Sequence, residues 1–175
     1  ARLRGAALQG EKRPRRPAVR VFLSAGEASG DAYGACLVRE MRRLAGDNPP
    51  DFEGVGGTLL REEGIRMVLD SSEWGAVGIV QAIKLFPKVS RAFAIARDAL
   101  MKGEPGLFVP IDFGFVNIRL CRAAKAAGWK VLYFIPPGSW RRDRQGADLP
   151  VLTDAITTPF SWSADILCRM GAKAS

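Results

Sequence analysis

The chain contains no histidine. That excludes a Ser-His-Asp triad, a Cys-His pair and a His-ligated metal. Cysteine is scarce: Cys36, Cys121 and Cys168 are odd in number, far apart and form no C-x-x-C. Such usage points to a reducing compartment and away from zinc or a disulfide framework. Cys36 and Cys121 fall in helix-like segments, where a free thiol is expected to act as a small core hydrophobe. No apolar run approaches the roughly 18 residues that span a bilayer. No apolar stretch follows the Arg-rich start, so no signal peptide is visible. No Asp-x-Asp pair is present to hold a metal–diphosphate, and neither a metal nor a cofactor is expected.

What is present has the balance of a soluble globular protein. At 175 residues, 47% hydrophobic and 25% charged, the chain suits one domain with a tail. A disordered chain, a collagen and a small disulfide scaffold are all excluded. Residues 1–17 hold Arg2, Arg4, Lys12, Arg13, Arg15 and Arg16 against Glu11, which is +5 of the net +8. We therefore read 1–17 as a basic arm and 18–175 as a mildly basic domain. A basic arm suits an anionic membrane surface or nucleic acid; a solvated tail is the plainer alternative.

Along the domain, strand-like and helix-like segments alternate. Val19–Ser24, Phe52–Val55, Arg66–Leu69, Leu107–Ile111, Val131–Ile135 and Ala155–Thr158 read as strands. Between them, Gly34, Leu37, Val38, Met41, Leu44 and Ala45 recur at helical spacing, and Leu59–Glu63 suggests a short helix. Pro87 is expected to open an amphipathic helix with Val89, Phe93, Ala96 and Leu100 on one face. Val116–Ala127 and Ala164–Met170 give two more helices, and 141–150 a charged loop. The alternation predicts a Rossmann-like parallel sheet with helices on both faces. In such sheets ligands gather at the carboxyl ends of the strands, which directs attention to Ser24–Asp31, Gly56-Gly57, Asp112–Asn117 and Pro136–Arg142.

Three of these segments suggest chemistry. In the turn Gly26-Glu27-Ala28-Ser29-Gly30-Asp31, small residues let a ligand approach the backbone. The helix that follows offers free N–H groups, and Ser29 can cap it or donate to a bound oxygen. Asp112 ends an apolar strand before Phe113-Gly114-Phe115, so its carboxyl is a candidate general base, raised by partial desolvation. It equally suits a turn or cap. Pro136–Arg142 sets Trp140 beside Arg141-Arg142, a stacking ring next to phosphate-pairing cations or else a solvated loop.

Taken in order, these segments resemble the lipid-A-disaccharide synthase family of GT-B glycosyltransferases. Ala25-Gly26-Glu27-Ala28-Ser29-Gly30-Asp31 resembles the family's opening signature, and Gly54-Val55-Gly56-Gly57 its next turn. Ala76-Val77-Gly78-Ile79-Val80 is similar to its apolar helix, and Ile111-Asp112 with Asn117 to its Gly-Ile-Asp-Ala-Pro-Asp-Phe-Asn stretch. Trp140 and Pro159-Phe160 match later positions. The resemblance spans roughly residues 19–172 and covers the N-terminal half of the family. It implies that a C-terminal donor domain would continue from about Ser175 and that this stretch is inactive alone.

The resemblance also implies a reaction. UDP-2,3-diacylglucosamine is joined to 2,3-diacylglucosamine 1-phosphate with inversion and release of UDP, in lipid A biosynthesis, without a required metal. Asp112 would be the base. Gly26, Glu27, Ser29, Gly30, Asp31, Gln81, Asn117 and Trp140 would bind substrate, and Ile79, Val80, Ile83 and Phe86 would offer an apolar surface to acyl chains or simply pack the core. The enzyme would lie in the cytoplasm on the inner membrane face, with homodimerisation through the other half and no nucleic acid partner. The sequence departs from the family pattern at Phe115 (an Asp in the family), Gln81 (a Glu), Tyr133 (a His) and across Pro136–Arg142. These changes bear on substrate identity more than on fold. They leave two alternatives: a non-catalytic sugar- or nucleotide-binding relative, and a nucleic-acid-associated protein using the basic arm.

Overall fold

A computed structural model describes residues 17–72, 79–136 and 148–175, and, within these, the side chains of 79–89 and of Phe115 are outside the description. The strands are β1 (Arg20–Ala25), β2 (Asp51–Gly56), β3 (Arg66–Asp70), β4 (Leu107–Ile111), β5 (Lys130–Phe134) and β6 (Ala155–Thr157). The helices are α1 (Ala28–Ala45), α2 (Thr58–Glu62), α3 (Ile79–Met101), α4 (Gly114–Ala126), α5 (Leu149–Leu152) and α6 (Ser161–Arg169). All the strand pairings are parallel, in the order β3-β2-β1-β4-β5-β6. This is the Rossmann-like arrangement expected from the alternation of elements.

Side chains alternate between the two faces of each strand, and both faces are apolar, as a sheet covered on both sides requires. Val21, Leu23, Val109 and Ile111 pack with Val38 of α1 and Leu60 of α2. Phe22, Phe108 and Tyr133 face the other way, with Ala96 and Leu100 of α3, Leu120 and Ala124 of α4, and Trp129. Each fully buried Leu, Val or Phe contributes about 1.5–3 kcal/mol of transfer free energy. The Trp129 ring meets Phe22 edge-on, and its indole N–H donates to the Leu100 carbonyl at 3.0 Å.

Three local expectations need correction. Pro87 does not open a helix but lies inside α3, which runs from Ile79 to Met101. An interior proline removes one hydrogen bond and crowds one carbonyl, at a cost of about 3 kcal/mol. The apolar segment before it has helix-compatible residues and continues the same helix. Cys36 is exposed, and only Cys121 is a core thiol. The inward stripe of α1 runs through Asp31, Gly34, Ala35 and Val38. A step of about 100° per residue carries Cys36 off that stripe, and Leu44 too is exposed. The loop expected over 141–150 gives way at its end to α5, with a proline in its first turn.

Candidate active site at the carboxyl end of the sheet

In this strand order the chain turns to opposite sides after β1 and after β4, so the switch point, where folds of this kind receive ligands, lies beyond the carboxyl ends of these two neighbours. Two sequence-predicted segments meet there. Gly26 and Glu27 lead from β1 into α1, and Asp112 and Phe113 lead from β4 into α4. Contact between them is close. A Cβ on Gly26 would lie 2.4 Å from the Phe113 ring, so only glycine admits that ring. A Cβ on Gly30 would lie 3.6 Å from the Ile111 carbonyl oxygen, which leaves the first turn of α1 directly beside the end of β4.

Asp112 and Phe113 are both left-handed, with φ of +47° and +48°. For residues with a side chain this conformation costs about 1–2 kcal/mol each, and it persists only where the surroundings enforce it. Here they do. The Asp112 N–H donates to the Ile135 carbonyl at 3.0 Å. The Asp112 carbonyl accepts from the Asn117 amide and the Tyr133 hydroxyl, each at 2.9 Å. Ile135, where the chain leaves β5, is itself left-handed at +57° and donates its N–H to Thr157. Side-by-side exits from β4 and β5 thus support each other.

The Asp112 carboxyl is half-buried, and no lysine or arginine pairs with it among the described residues. Burial raises it above the ordinary carboxylate range against the opposing Phe113 N–H. A carboxyl lifted by desolvation in this way is a better proton acceptor than an exposed one.

The remaining predicted residues divide by where they point. Glu27 and Ser29 are exposed at the start of α1, and no side chain caps that helix end. Gly26 and Gly30 are buried between them and β4. Asp31 is also buried, and its carboxylate turns inward. It accepts from the N–H groups of Gly57, Leu59 and Leu60 at 2.7, 2.9 and 3.1 Å. It thereby satisfies the open donors at the start of α2, and Gly57 is needed because a Cβ there would sit 2.7 Å from the carboxylate. Asn117 is fully buried, and its amide bridges β1 and β4. It donates to the carbonyls of Ser24, Ile111 and Asp112, while the Ser24 hydroxyl donates to its oxygen at 2.6 Å. In this arrangement Asp31 and Asn117 shape the rim from behind, and their polar atoms are already occupied.

Gln81 falls early in α3, and its side chain, like those of Ile79, Val80, Ile83 and Phe86, lies outside the described residues. So do Trp140, Arg141, Arg142 and the basic arm at 1–16. Among the described residues there is no cluster of acidic or cysteine side chains able to hold a metal, and no helix is long and apolar enough to cross a membrane.

Two contributors were not given a role by sequence reasoning. Ser24 and Tyr133 are buried polar residues at the ends of apolar strands, and that placement is the signal available for them. Their partners lie 93 and 21 residues away, which no local pattern reveals.

Comparison with known proteins bears on this geometry. The profile of the family described as Lipid-A-disaccharide synthetase matches residues 21–158. The chain is 38% identical over 157 residues to the lipid-A-disaccharide synthase of Geobacter sulfurreducens, covering 89% of this chain and 40% of that one. The enzyme of the same name from Trichlorobacter lovleyi is 43% identical over 144 residues, covering 81% of this chain and 37% of its own. That from Geobacter metallireducens is 35% identical over 160 residues, covering 91% and 41%. The chain thus spans about two fifths of the length of these curated relatives.

Proposed function

Because the chain belongs to the lipid-A-disaccharide synthetase family, we propose that it forms the acceptor-side Rossmann-like domain, residues 18–175, of an inverting glycosyltransferase of lipid A biosynthesis. The donor is UDP-2,3-diacylglucosamine and the acceptor 2,3-diacylglucosamine 1-phosphate. An acceptor hydroxyl oxygen attacks the anomeric carbon. The new C–O bond forms as the bond from that carbon to the diphosphate breaks, and UDP leaves with the electron pair. Asp112 takes the hydroxyl proton. An alcohol is a poor nucleophile until that proton is accepted, and a positioned base contributes about 10²–10⁴-fold.

The single observation behind this reading is the Asp112 carboxyl. It is half-buried, lifted by burial, and held on a strained turn at the switch point of the sheet, beside the first turn of α1. Glu27 and Ser29 then lie exposed where the substrate is received, with Gly26 and Gly30 buried behind them against Phe113 and β4, and free N–H groups at the start of α1 favour a negatively charged group there. Asp31 and Asn117 hold the rim in shape. On the family pattern Gln81 and Trp140 also bind substrate, and Ile79, Val80, Ile83 and Phe86 serve the acyl chains. The donor is held largely by the length of the family that this chain does not span, so this stretch alone is inactive. The basic arm at 1–17 adds attraction to an anionic membrane surface.

The test is transfer between these two substrates, read as UDP release and as the anomer of the disaccharide. The chain is assayed alone and joined to the C-terminal stretch of the longer relatives. Turnover only in the joined form, with the anomer inverted and lost in Asp112→Asn, is expected. Full turnover in that variant would remove Asp112 as the base.

A further inference from the structure

We propose that Tyr133 is a positioning residue for Asp112: its hydroxyl clamps the Asp112 carbonyl, holds the left-handed turn, and so fixes the direction of the carboxyl at the switch point of the sheet. The inference rests on the reading of Asp112 as the base, but its geometry stands apart from that reading. The direction of a side chain is set by the two peptide planes that flank its Cα, and at Asp112 both planes are pinned. On one side, the Asp112 N–H donates to Ile135 at 3.0 Å and the Ile111 carbonyl accepts from Asn117 at 3.1 Å. On the other, the Asp112 carbonyl accepts from Tyr133 and Asn117, filling both of its lone pairs. Asn117 divides two amide hydrogens among three carbonyls. The phenol of Tyr133 gives its only hydrogen to one. It is therefore the donor dedicated to the strained peptide.

The phenol suits this task. Tyr133 is fully buried, its ring packs in the core beneath β5, and only the oxygen reaches the turn. Burial, with Cys121 and Asp112 nearby, pushes its ionisation well above the ordinary range, so it stays a donor at any working pH. Burial also pushes the Cys121 thiol up. Of the other carboxyls around this rim, Asp31 is turned to its N–H donors and Glu27 is exposed at the start of α1. A titration read at the Asp112 carboxyl carbon in the acid range therefore reports on Asp112 itself.

Tyr133→Phe removes the hydroxyl and keeps the ring. Carbon-detected NMR of the 175-residue chain, with Asp112→Asn to assign the signal, follows the carboxyl. Released from the clamp, the turn relaxes and the carboxyl gains water, so its midpoint falls by about half a pH unit or more. In the joined enzyme kcat falls about tenfold with KM within about twofold, the signature of a mis-aimed group rather than lost binding. Tyr33→Phe, on the exposed side of α1, moves neither. An unmoved midpoint together with unmoved kcat overturns the clamp. If Tyr133→Phe fails to fold, the unsubstituted chain decides: a slowly exchanging Tyr133 hydroxyl proton close to Asp112 supports the clamp, and a fast-exchanging one overturns it. Should Asp112→Asn keep full turnover while Tyr133→Phe still shifts the midpoint, the clamp stands and the base assignment falls.

Discussion

The two ends of the parallel sheet are built from opposite physics. At the amino end, charges are paired. Glu53 is buried in β2 between Arg20 and Arg66, and Arg20 also donates to the carbonyls of Ala99, Lys102 and Glu104 and lies over the Trp129 ring. Asp154 holds Lys125 and Lys130 and accepts from the Val131 N–H. A cavity of about 920 Å³ opens here, lined by Arg20, Glu53, Arg66, Asp98, Lys102 and Glu104, cation against carboxylate. At the carboxyl end an exposed pair, Arg61 with Asp70, sits at the edge strand β3, while at the exits of β4 and β5 the residues are left-handed and a half-buried carboxyl is left without a countercharge among the described residues. Strain together with an unneutralised, desolvated acid marks the end where chemistry is expected.

The most forceful way to break this contrast is to neutralise the carboxyl end. Asp112→Asn in the joined enzyme is expected to lower kcat by about 10²–10⁴-fold, the usual worth of a general base. The same variant is expected to leave the 175-residue chain folded and, at neutral pH, slightly more stable. Burial raises the folded Asp112 carboxyl above its unfolded value, so its ionised form opposes folding. Stability lost rather than gained in urea melts would show that Asp112 serves the fold instead.

Next in size is the contact that lets the two turns meet. Gly26→Val drives a branched side chain into the Phe113 ring, whose atoms already lie 2.4 Å from a Cβ. The expected destabilisation is about 1–3 kcal/mol, as for other overpacked cores, read as a lower urea midpoint with an unchanged slope. A smaller loss is expected from Asp31→Asn. It keeps the shape of the side chain but removes the charge that draws three N–H donors, at about 1–2 kcal/mol. Neither variant touches the amino end, so the NMR signal of the Trp129 indole N–H, bonded to the Leu100 carbonyl, should stay in place in the folded state of both.

Much of this was legible in the sequence. The alternation of apolar runs and amphipathic segments carries the strand order's raw material, and Asp112 is visible as an acid closing an apolar strand. What local pattern cannot carry is conformation that a residue type does not advertise. Asp tolerates positive φ better than most residues, but Phe113 and Ile135 do not announce it; neighbouring strand exits impose it. Asp31 and Asn117 read equally well as ligand contacts or braces until the fold brings Gly57 and Ser24 against them. Pro87 reads as a helix start because proline favours a first turn over an interior, yet α3 runs through it. Glu53 carries a quieter signal: a carboxylate within the apolar run of β2 is itself a sign of a buried partner, here Arg20 and Arg66.

The finest test of the contrast is the sign of its pH dependence. Burial works against ionisation of Asp154, but the Val131 N–H and the Lys125 and Lys130 ammoniums outweigh it and hold the carboxyl down at about 2, against 3.8 for an ordinary aspartate. A folded value below the unfolded one means that the unfolded chain binds more protons in this window, so stability is present above about pH 4 and drains away as pH falls toward 2. With the side chain 32% exposed, solvent screening reduces the effect to about 1 kcal/mol or less. Asp112 runs the other way: its value is raised on folding, so acid relieves a cost and its contribution falls as pH rises above the unfolded value. Urea melts between pH 2 and 7 should therefore separate Asp154 from Asp112. Asp154→Asn flattens the acid limb of the stability curve, and Asp112→Asn flattens a limb of opposite slope at higher pH. Equal slopes in the two variants would mean that the surroundings of these two carboxyls differ in shape and not in electrostatics.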